Sequence, residues 1–346
     1  MDKIAKSSAA ERLRLFRDTA IQTSIPIAMI EKDFWVCYIL SKIFADAEMS
    51  RILRFKGGTS LSKGYGLIER FSEDLDLILD KELVLGKEPL FKPSYKKQRE
   101  FADELRRRSA KYISTELKTK IEKSLGGKLL VYTDAEYANA NPEYTPNEID
   151  NNFLHIVYPK VSEDNYLRPD ILLEIGIMSA WEPKEPKEII PYIAKAFPEL
   201  EIAPAVVPTI MAKRTFWDKA TILHREYHRP KGTHTPARYS RHYYDLYQMG
   251  KSAVKGDALA DFDLLREVVE RKDRLYHCAW ALYEVCANGG MRLLPNDNNY
   301  DLLAKDYKAM QDMIFGDKPG WETILEFLQK LEDEINEEGQ NGKRKD

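Results

Sequence analysis

Apolar residues recur at helical spacing over residues 27–44, inside a segment (7–46) that reads as helices punctuated at Ser24-Ile25-Pro26. Short apolar runs bounded by turn residues follow, and they predict strands at 52–55, 75–79, 128–133, 153–158 and 170–175. Between them the pattern predicts a short helix over 61–68, broken at Gly64 and Gly66, and a long charged helix over 95–125. Asn139, Asn141, Pro142, Pro146 and Asn147 carry turn chemistry and predict a loop between two strands. From Pro204 onward the strand signals stop, and residues 202–208 read as a linker or a last edge strand. The remainder predicts helices over 209–227, 239–251, 262–286, 301–315 and 321–337, with Leu275, Ala279, Leu282 and Cys286 as core positions. The tail from Gln340 is polar and is expected to be disordered. The expectation is an α+β fold, a mixed sheet with flanking helices followed by an all-α bundle. Its expected bounds are an N-terminal helical segment packing on the sheet domain (1–48), the sheet domain (49–203), a helical domain (204–338) and a tail (339–346). No internal repeat is present.

Composition narrows the class. The chain has 346 residues, 43% hydrophobic and 32% charged, which suits a soluble globular protein with a substantial core. No apolar run approaches the roughly 18 residues of a membrane helix, and no apolar signal core follows Met1. Cys37, Cys278 and Cys286 are odd in number and lie in apolar patterns, so buried free thiols in a reducing cytoplasm are expected. A net charge of −3 does not point to nucleic acid, although local patches decide such affinity.

One stretch concentrates the chemistry: Phe55-Lys56-Gly57-Gly58-Thr59-Ser60-Leu61-Ser62-Lys63, then Arg70-Phe71-Ser72-Glu73-Asp74-Leu75-Asp76-Leu77-Ile78-Leu79. Side chains two apart on a strand share a face, so Asp74 and Asp76 stand together while Leu75 and Leu77 face a core. Two like charges on one face repel, and a cation between them relieves this. Mg²⁺ prefers hard carboxylate oxygens and shares them with phosphates. The glycine pair lets backbone approach a phosphate where a helix begins. No Walker sequence is present. Each feature alone is more often a tight turn or a solvent-facing strand; together they point to a metal and a polyphosphate.

The same residues carry a resemblance. Gly57-Gly58-Thr59-Ser60 with Ser72-Glu73-Asp74-Leu75-Asp76 resembles the nucleotidyltransferase superfamily, and the G-G-T-S-L and R-F-S-E-D-L-D-L wording resembles the AbiEii toxin family of type IV toxin–antitoxin systems. The resemblance implies a nucleotidyltransferase-like sheet and a third carboxylate from a neighbouring strand: Glu174 within Leu173-Glu174-Ile175, with Asp170 as its rival. Asp74, Asp76 and Glu174 would then bind Mg²⁺ or Mn²⁺, and Gly57, Gly58, Thr59, Ser60 and Lys63 would hold the NTP. Residues 213–225 and 241–247 resemble family segments that supply a lysine and an aspartate, matched by Lys219 (or Lys213) and Asp245. The lysine would neutralise phosphate charge, and the aspartate would position or deprotonate the acceptor. Glu31-Lys32-Asp33 before Phe34-Trp35 resembles a further family segment, so Lys32 or Asp33 is a candidate to reach the site; the plainer reading is an exposed charged turn. The implied activity is transfer of nucleotides from an NTP to RNA, a tRNA 3′ end above all, with diphosphate release and growth arrest. The implied partner is a winged-helix antitoxin from the adjacent gene. The competing readings are a transferase acting on a protein hydroxyl or small molecule, and a non-catalytic nucleotide-binding module. The carboxylates and the helical-domain pair would be two halves of one site.

Outside these segments the signals are weaker. Arg214, Lys219, Arg225, Arg229, Lys231, Arg238 and Arg241 form a basic cluster interleaved with Phe216, Trp217, Tyr227 and Tyr239. Such a cluster suits stacked RNA bases, but the aromatics suit a core equally, Trp217 in particular. The basic residues of the 95–125 helix give a second candidate RNA-facing surface beside the ordinary solvated one. His224 and His228 are spaced as a metal pair, yet without H-E-x-x-H they read as surface histidines, with His234 and His242 unassigned.

Overall fold

The short apolar runs become the centre of one seven-stranded mixed sheet. Its strands are β1 (Leu53–Lys56), β2 (Leu75–Leu79), β3 (Leu130–Thr133), β4 (Phe153–Val157), β5 (Asp170–Gly176), β6 (Lys184–Ile189) and β7 (Ala205–Ile210). They run in the order β3-β4-β5-β2-β1-β7-β6. β2 pairs β5 and β1 pairs β7 in parallel, and the other neighbours are antiparallel. The computed structural model describes residues 1–86, 88–146, 152–163, 167–233 and 235–343. The chain divides into two units: Met1–Tyr65, Phe71–Leu90 and Glu100–Ile210, which hold the sheet, and Gly66–Arg70, Phe91–Arg99 and Met211–Asp346.

In the first unit α1 (Ala9–Thr23) opens on a capping box between Ser8 and Glu11. α2 (Ile27–Ala45) is buried along almost its whole length and packs on β7 and β5. α3 (Gly57–Lys63) follows β1 directly, so the glycine pair forms its first turn. The 95–125 segment is helical from α4 (Tyr95–Tyr112) through a π-helical turn at Ile113–Leu117 to Lys118–Ser124. Many of its cations face local acids: Arg107 and Arg108 both bond Glu104, and Lys118 bonds Glu136.

Three differences from the expected pattern have physical causes. Asn139 lies not in a loop but in α5 (Asp134–Ala140), which a Thr133–Glu136 capping box starts; Asn147 lies outside the described residues. β6 has the polar sequence Lys-Glu-Pro-Lys-Glu-Ile, and it forms a strand because an edge strand needs only one partner and charges there deter further pairing. β7, expected as linker or edge, is an internal strand between β1 and β6 despite Pro208.

The second unit contains α6 (Ala212–Tyr227), α7 (Ser240–Gly250), α8 (Phe262–Leu275), α9 (Tyr300–Met310) and α10 (Trp321–Lys343). Phe216, Trp217, Leu223, Tyr243, Leu265, Leu328 and Ile335 form its buried interior. α8 stops at Leu275, eleven residues short of Cys286, although residues 276–288 hold no glycine or proline to signal a stop. Leu282 instead adopts a left-handed backbone at φ 48°, so Leu282 and Ala279 are exposed while Leu275 and Cys286 stay buried. α10 continues to Lys343, beyond the point where the tail was expected to begin, and residues 344–346 lie outside the described residues.

Gly250 ends α7 where α10 crosses it. A Cβ there would stand 2.6 Å from Phe327 Cε1 and 2.9 Å from Cζ. Gly250→Ala is expected to destabilise the protein by about 1–3 kcal/mol through overpacking, measured as a fall in the urea midpoint; unchanged stability would show that the ring yields without cost.

Candidate active site

Strand register builds the first cluster. Lys56 on β1 pairs with Asp76 on β2, and Asp76 pairs with Glu174 on β5, so their side chains share one face in a single row. Asp74 stands two residues before Asp76 at the mouth of the same strand. Asp74 and Asp76 are half-buried, Glu174 is exposed, and Lys56 Nζ is 3.9 Å from Asp76 Oδ1. Burial raises the pKa of Asp74, and the charges of Glu73 and Asp76 add to this against the pull of Arg168 and Lys32.

Gly57 is tied to Asp76 by space. Its φ is +79°, and a Cβ on residue 57 would lie 1.9 Å from Asp76 Oδ2. The absence of a side chain is thus what lets the carboxylate lie against the turn. The hydroxyls beside it turn inward. Thr59 Oγ1 donates to the Asp74 carbonyl at 2.6 Å, and Ser60 Oγ donates to the Gly57 carbonyl at 2.8 Å, both from buried side chains. Lys63 is buried as well, with Nζ 2.5 Å from Asp33 Oδ1 and 3.8 Å from the centre of the Tyr192 ring. Of the five residues expected on the nucleotide, these three therefore hold the turn itself.

The sequence Glu31-Lys32-Asp33 is not an exposed turn. All three side chains are buried on α2. Glu31 accepts from the N–H groups of Val161 and Ser162, Asp33 accepts from that of Tyr192, and Lys32 donates to Glu73 Oε2 at 2.7 Å and the Arg168 carbonyl at 3.1 Å.

Asp170 and Glu174 lie on one face of β5 but in different surroundings. Asp170 is fully buried, 2.8 Å from His155 Nδ1, and accepts from the Tyr137 hydroxyl at 3.0 Å. The other His155 nitrogen is 2.9 Å from Asp134 Oδ1. Burial pushes Asp170 up, but His155 and Arg168 outweigh it and hold its pKa below the usual value. Arg168 Nη2 lies 3.7 Å from both Asp74 Oδ1 and Asp170 Oδ2. No sequence signal marked His155 or Arg168. Among the described residues, no three His, Cys, Asp or Glu side chains converge closely enough to hold a metal as they stand.

The second unit carries its own buried cluster. Asp245 takes both Nε and Nη2 of Arg70, at 2.6 and 2.8 Å, and Lys219 Nζ at 2.6 Å. Arg70, not the Arg241 one turn earlier on the same helix, is thus its guanidinium partner among the described residues. Burial opposes the charge on Asp245, but Arg70 and Lys219 bring its pKa well below the usual range. Burial lowers Lys219, with Arg70 and Arg241 adding to this and Asp245 opposing. His242 Nδ1 is 3.5 Å from Lys219 Nζ, and burial beside Lys219 and Arg241 keeps His242 well below its usual pKa. Lys213 is paired elsewhere, with Asp261 at 2.7 Å. Arg70 stood within the quoted R-F-S-E-D-L-D-L run, but only the fold brings it to Asp245.

The basic cluster is internally compensated in part. Arg214 pairs with Glu267, and Arg225 and Arg229 both pair with Glu226, while Phe216 and Trp217 are core residues. His224 is buried rather than on the surface. It donates from Nε2 to the Leu282 carbonyl and accepts from the Arg292 N–H at Nδ1, so both nitrogens are engaged. Burial, His228 and Arg292 lower its pKa to about 4. His234 lies outside the described residues.

JHP933 from Helicobacter pylori is similar in structure at 15% identity, with 90% of this chain and 93% of that chain covered and a TM-score of 0.42. MenT4, the nucleotidyltransferase toxin Rv2826c from Mycobacterium tuberculosis H37Rv, is similar at 14% identity, with 95% and 98% covered and a TM-score of 0.44. No curated protein matches the chain significantly. Among the described residues no helix is long and apolar enough to cross a membrane. The family model described as "Nucleotidyl transferase AbiEii toxin, Type IV TA system" matches residues 38–327. The chain therefore belongs to the AbiEii nucleotidyltransferase toxin family, a family that implies a nucleotide substrate and an antitoxin partner.

Proposed function

We propose that the protein transfers nucleotides from an NTP to an RNA acceptor, a tRNA 3′ end in the first instance, releasing diphosphate and arresting growth. The observation that carries this reading is the row in which Asp76 and Glu174 stand in register, with Gly57 leaving room for the Asp76 carboxylate. Asp74, Asp76 and Glu174 offer the hard oxygen donors that Mg²⁺ or Mn²⁺ takes, and the register that sets Asp76 beside Glu174 supports a cation there. When bound, the metal would neutralise phosphate charge and favour the leaving diphosphate. Gly57 and Gly58 would bring backbone close to the NTP, while Thr59, Ser60 and Lys63 act indirectly by holding that turn. Asp170 is the poorer third ligand because His155 and Tyr137 already occupy its oxygens.

Lys219 is the proposed phosphate lysine, held by Asp245 as a point charge. Asp245 is a weak proton acceptor, since two cations stabilise its ionised form. We assign it the orientation of Lys219. A winged-helix antitoxin encoded beside the toxin and a cytoplasmic location complete the proposal, and both rest on the family alone.

Labelled NTPs with Mg²⁺ and total RNA test the reading. Label is expected in RNA and should fall on the order of 100-fold or more in Asp76→Ala and Glu174→Gln. Label in protein or a small molecule would instead favour those acceptors, binding without transfer would favour a non-catalytic module, and undiminished Asp76→Ala activity would refute the metal assignment. Asp170→Asn should keep transfer and lose about 1–3 kcal/mol of stability, since it disturbs a buried hydrogen-bonded group; a loss of transfer matching Glu174→Gln would reverse the choice of ligand. Gly57→Ala should impair transfer more than folding, measured by turnover beside thermal unfolding, because its Cβ displaces Asp76.

The Asp245 cluster makes a prediction in pH. A depressed folded-state pKa means its stabilisation is complete above the ordinary value of about 3.9 and is lost as pH falls through that value toward the folded one. Asp245→Asn removes the buried carboxylate charge that Arg70 and Lys219 share and should cost about 3–5 kcal/mol at neutral pH. The difference from wild type should shrink in acid, read from urea midpoints across pH; a difference constant with pH would refute the ionic account.

A further inference from the structure

We infer that Lys32 is a positioning residue for the carboxylate site, its buried ammonium joining two irregular segments so that Asp74 is aimed along the row of Asp76 and Glu174. The inference rests on the metal-binding reading of those carboxylates. Residues 71–74 and 167–169 have no helix or strand of their own, so side-chain anchors bear on where their backbone lies. Lys32 Nζ supplies one such anchor to each, bonding Glu73 beside Asp74 and the carbonyl of Arg168. Thr59 holds the next link, donating to the carbonyl of Asp74 at 2.6 Å and that of Ser72 at 3.3 Å. The guanidinium of Arg168 then returns to within 3.7 Å of Asp74 Oδ1. Asp74 is thus approached from its preceding residue, its own carbonyl and its carboxylate, and Lys32 acts on two of these three routes.

The position on α2 explains why one helix can do this. Successive residues of a helix are rotated by about 100°, so Glu31, Lys32 and Asp33 reach three different segments: residues 161–162, the pair Glu73 and Arg168, and Tyr192 with Lys63. Lysine suits the middle position because a compact ammonium with three donors can serve a carboxylate and a carbonyl at once.

The test is Mn²⁺ binding followed by electron paramagnetic resonance in the presence of a non-hydrolysable ATP analogue, so that no turnover is needed. Lys32→Met alone removes the ammonium bonded to the buried Glu73 carboxylate and will suffer in folding. The double variant Lys32→Met/Glu73→Gln removes both charges, should fold with wild-type thermal stability, and should bind Mn²⁺ about 10- to 100-fold more weakly. Wild-type Mn²⁺ affinity in the folded double variant, with binding lost in Asp76→Ala, would overturn the role of Lys32 and leave the carboxylate site standing. Wild-type affinity in Asp76→Ala would overturn the carboxylate site itself. If the double variant does not fold, Lys32→Arg, which keeps the charge but not the compact geometry, decides by the same affinity criterion.

Discussion

The carboxylate of Asp76 and a side chain on residue 57 cannot occupy the same space, and much of the sheet unit follows from that exclusion. β1 and β2 are antiparallel neighbours, so the residue that ends β1 and the residue within β2 face each other across a ladder. The chain must turn into α3 immediately after Lys56. A Cβ at that turn would collide with the acid 1.9 Å away. Glycine removes the collision, and the left-handed φ it adopts starts the helix without strain. The glycine pair and the aspartate pair, nearly twenty residues apart in sequence, are one steric unit. Their separation in the chain is set by α3 and the irregular approach to β2.

Placing charge at a sheet face and then holding it still needs cations that are themselves placed. α2 does this from inside the protein. A helix so thoroughly buried is ordinarily apolar all round, yet Glu31, Lys32 and Asp33 interrupt it. Isolated, each buried charge would cost several kcal/mol. Each instead finds charged or backbone partners: Glu31 and Lys32 on segments without helix or strand, and Asp33 at the N–H of Tyr192 that opens a short helix. The charges therefore do not add cohesion so much as convert loops into fixed features. A wholly apolar α2 would satisfy the core but leave those backbone groups without these partners.

Sequence patterning recovered what local physics determines. β1 to β5 have apolar runs, and the D-x-D spacing sets Asp76 on the strand face and Asp74 just before the strand begins. β6 was invisible because its strand character comes from pairing with β7, not from its own polar residues. The end of α8 was invisible because no glycine or proline marks it, and the apolar spacing continues across the break into Cys286. The burial of Glu31-Lys32-Asp33 was misjudged for a related reason. Three consecutive charges suggest solvent, and only long-range partners such as Glu73 and Tyr192 make their burial affordable. The contacts of Thr59, Ser60 and Lys63 could not be read either, since a hydroxyl or ammonium near a glycine turn can face a ligand or the backbone, and the choice depends on register.

The same distinction governs the buried cluster of the second unit. Asp245 is near a lysine in both possible roles, as a base or as an orienter, and sequence alone leaves them equal. The two cations favour the second. A general base is most effective with a pKa near the working pH, and Arg70 binding both carboxylate oxygens moves Asp245 in the opposite direction. What those contacts favour is a fixed anion beside Lys219, whose ammonium otherwise loses its charge more easily through burial and through Arg70 and Arg241. Arg70 thus has two opposed effects: directly, it makes Lys219 easier to deprotonate; through Asp245, it maintains the anion that keeps the lysine charged. The phosphate role proposed for Lys219 needs the second effect to prevail at neutral pH, and the 2.6 Å contact with Asp245 is the interaction that supplies it.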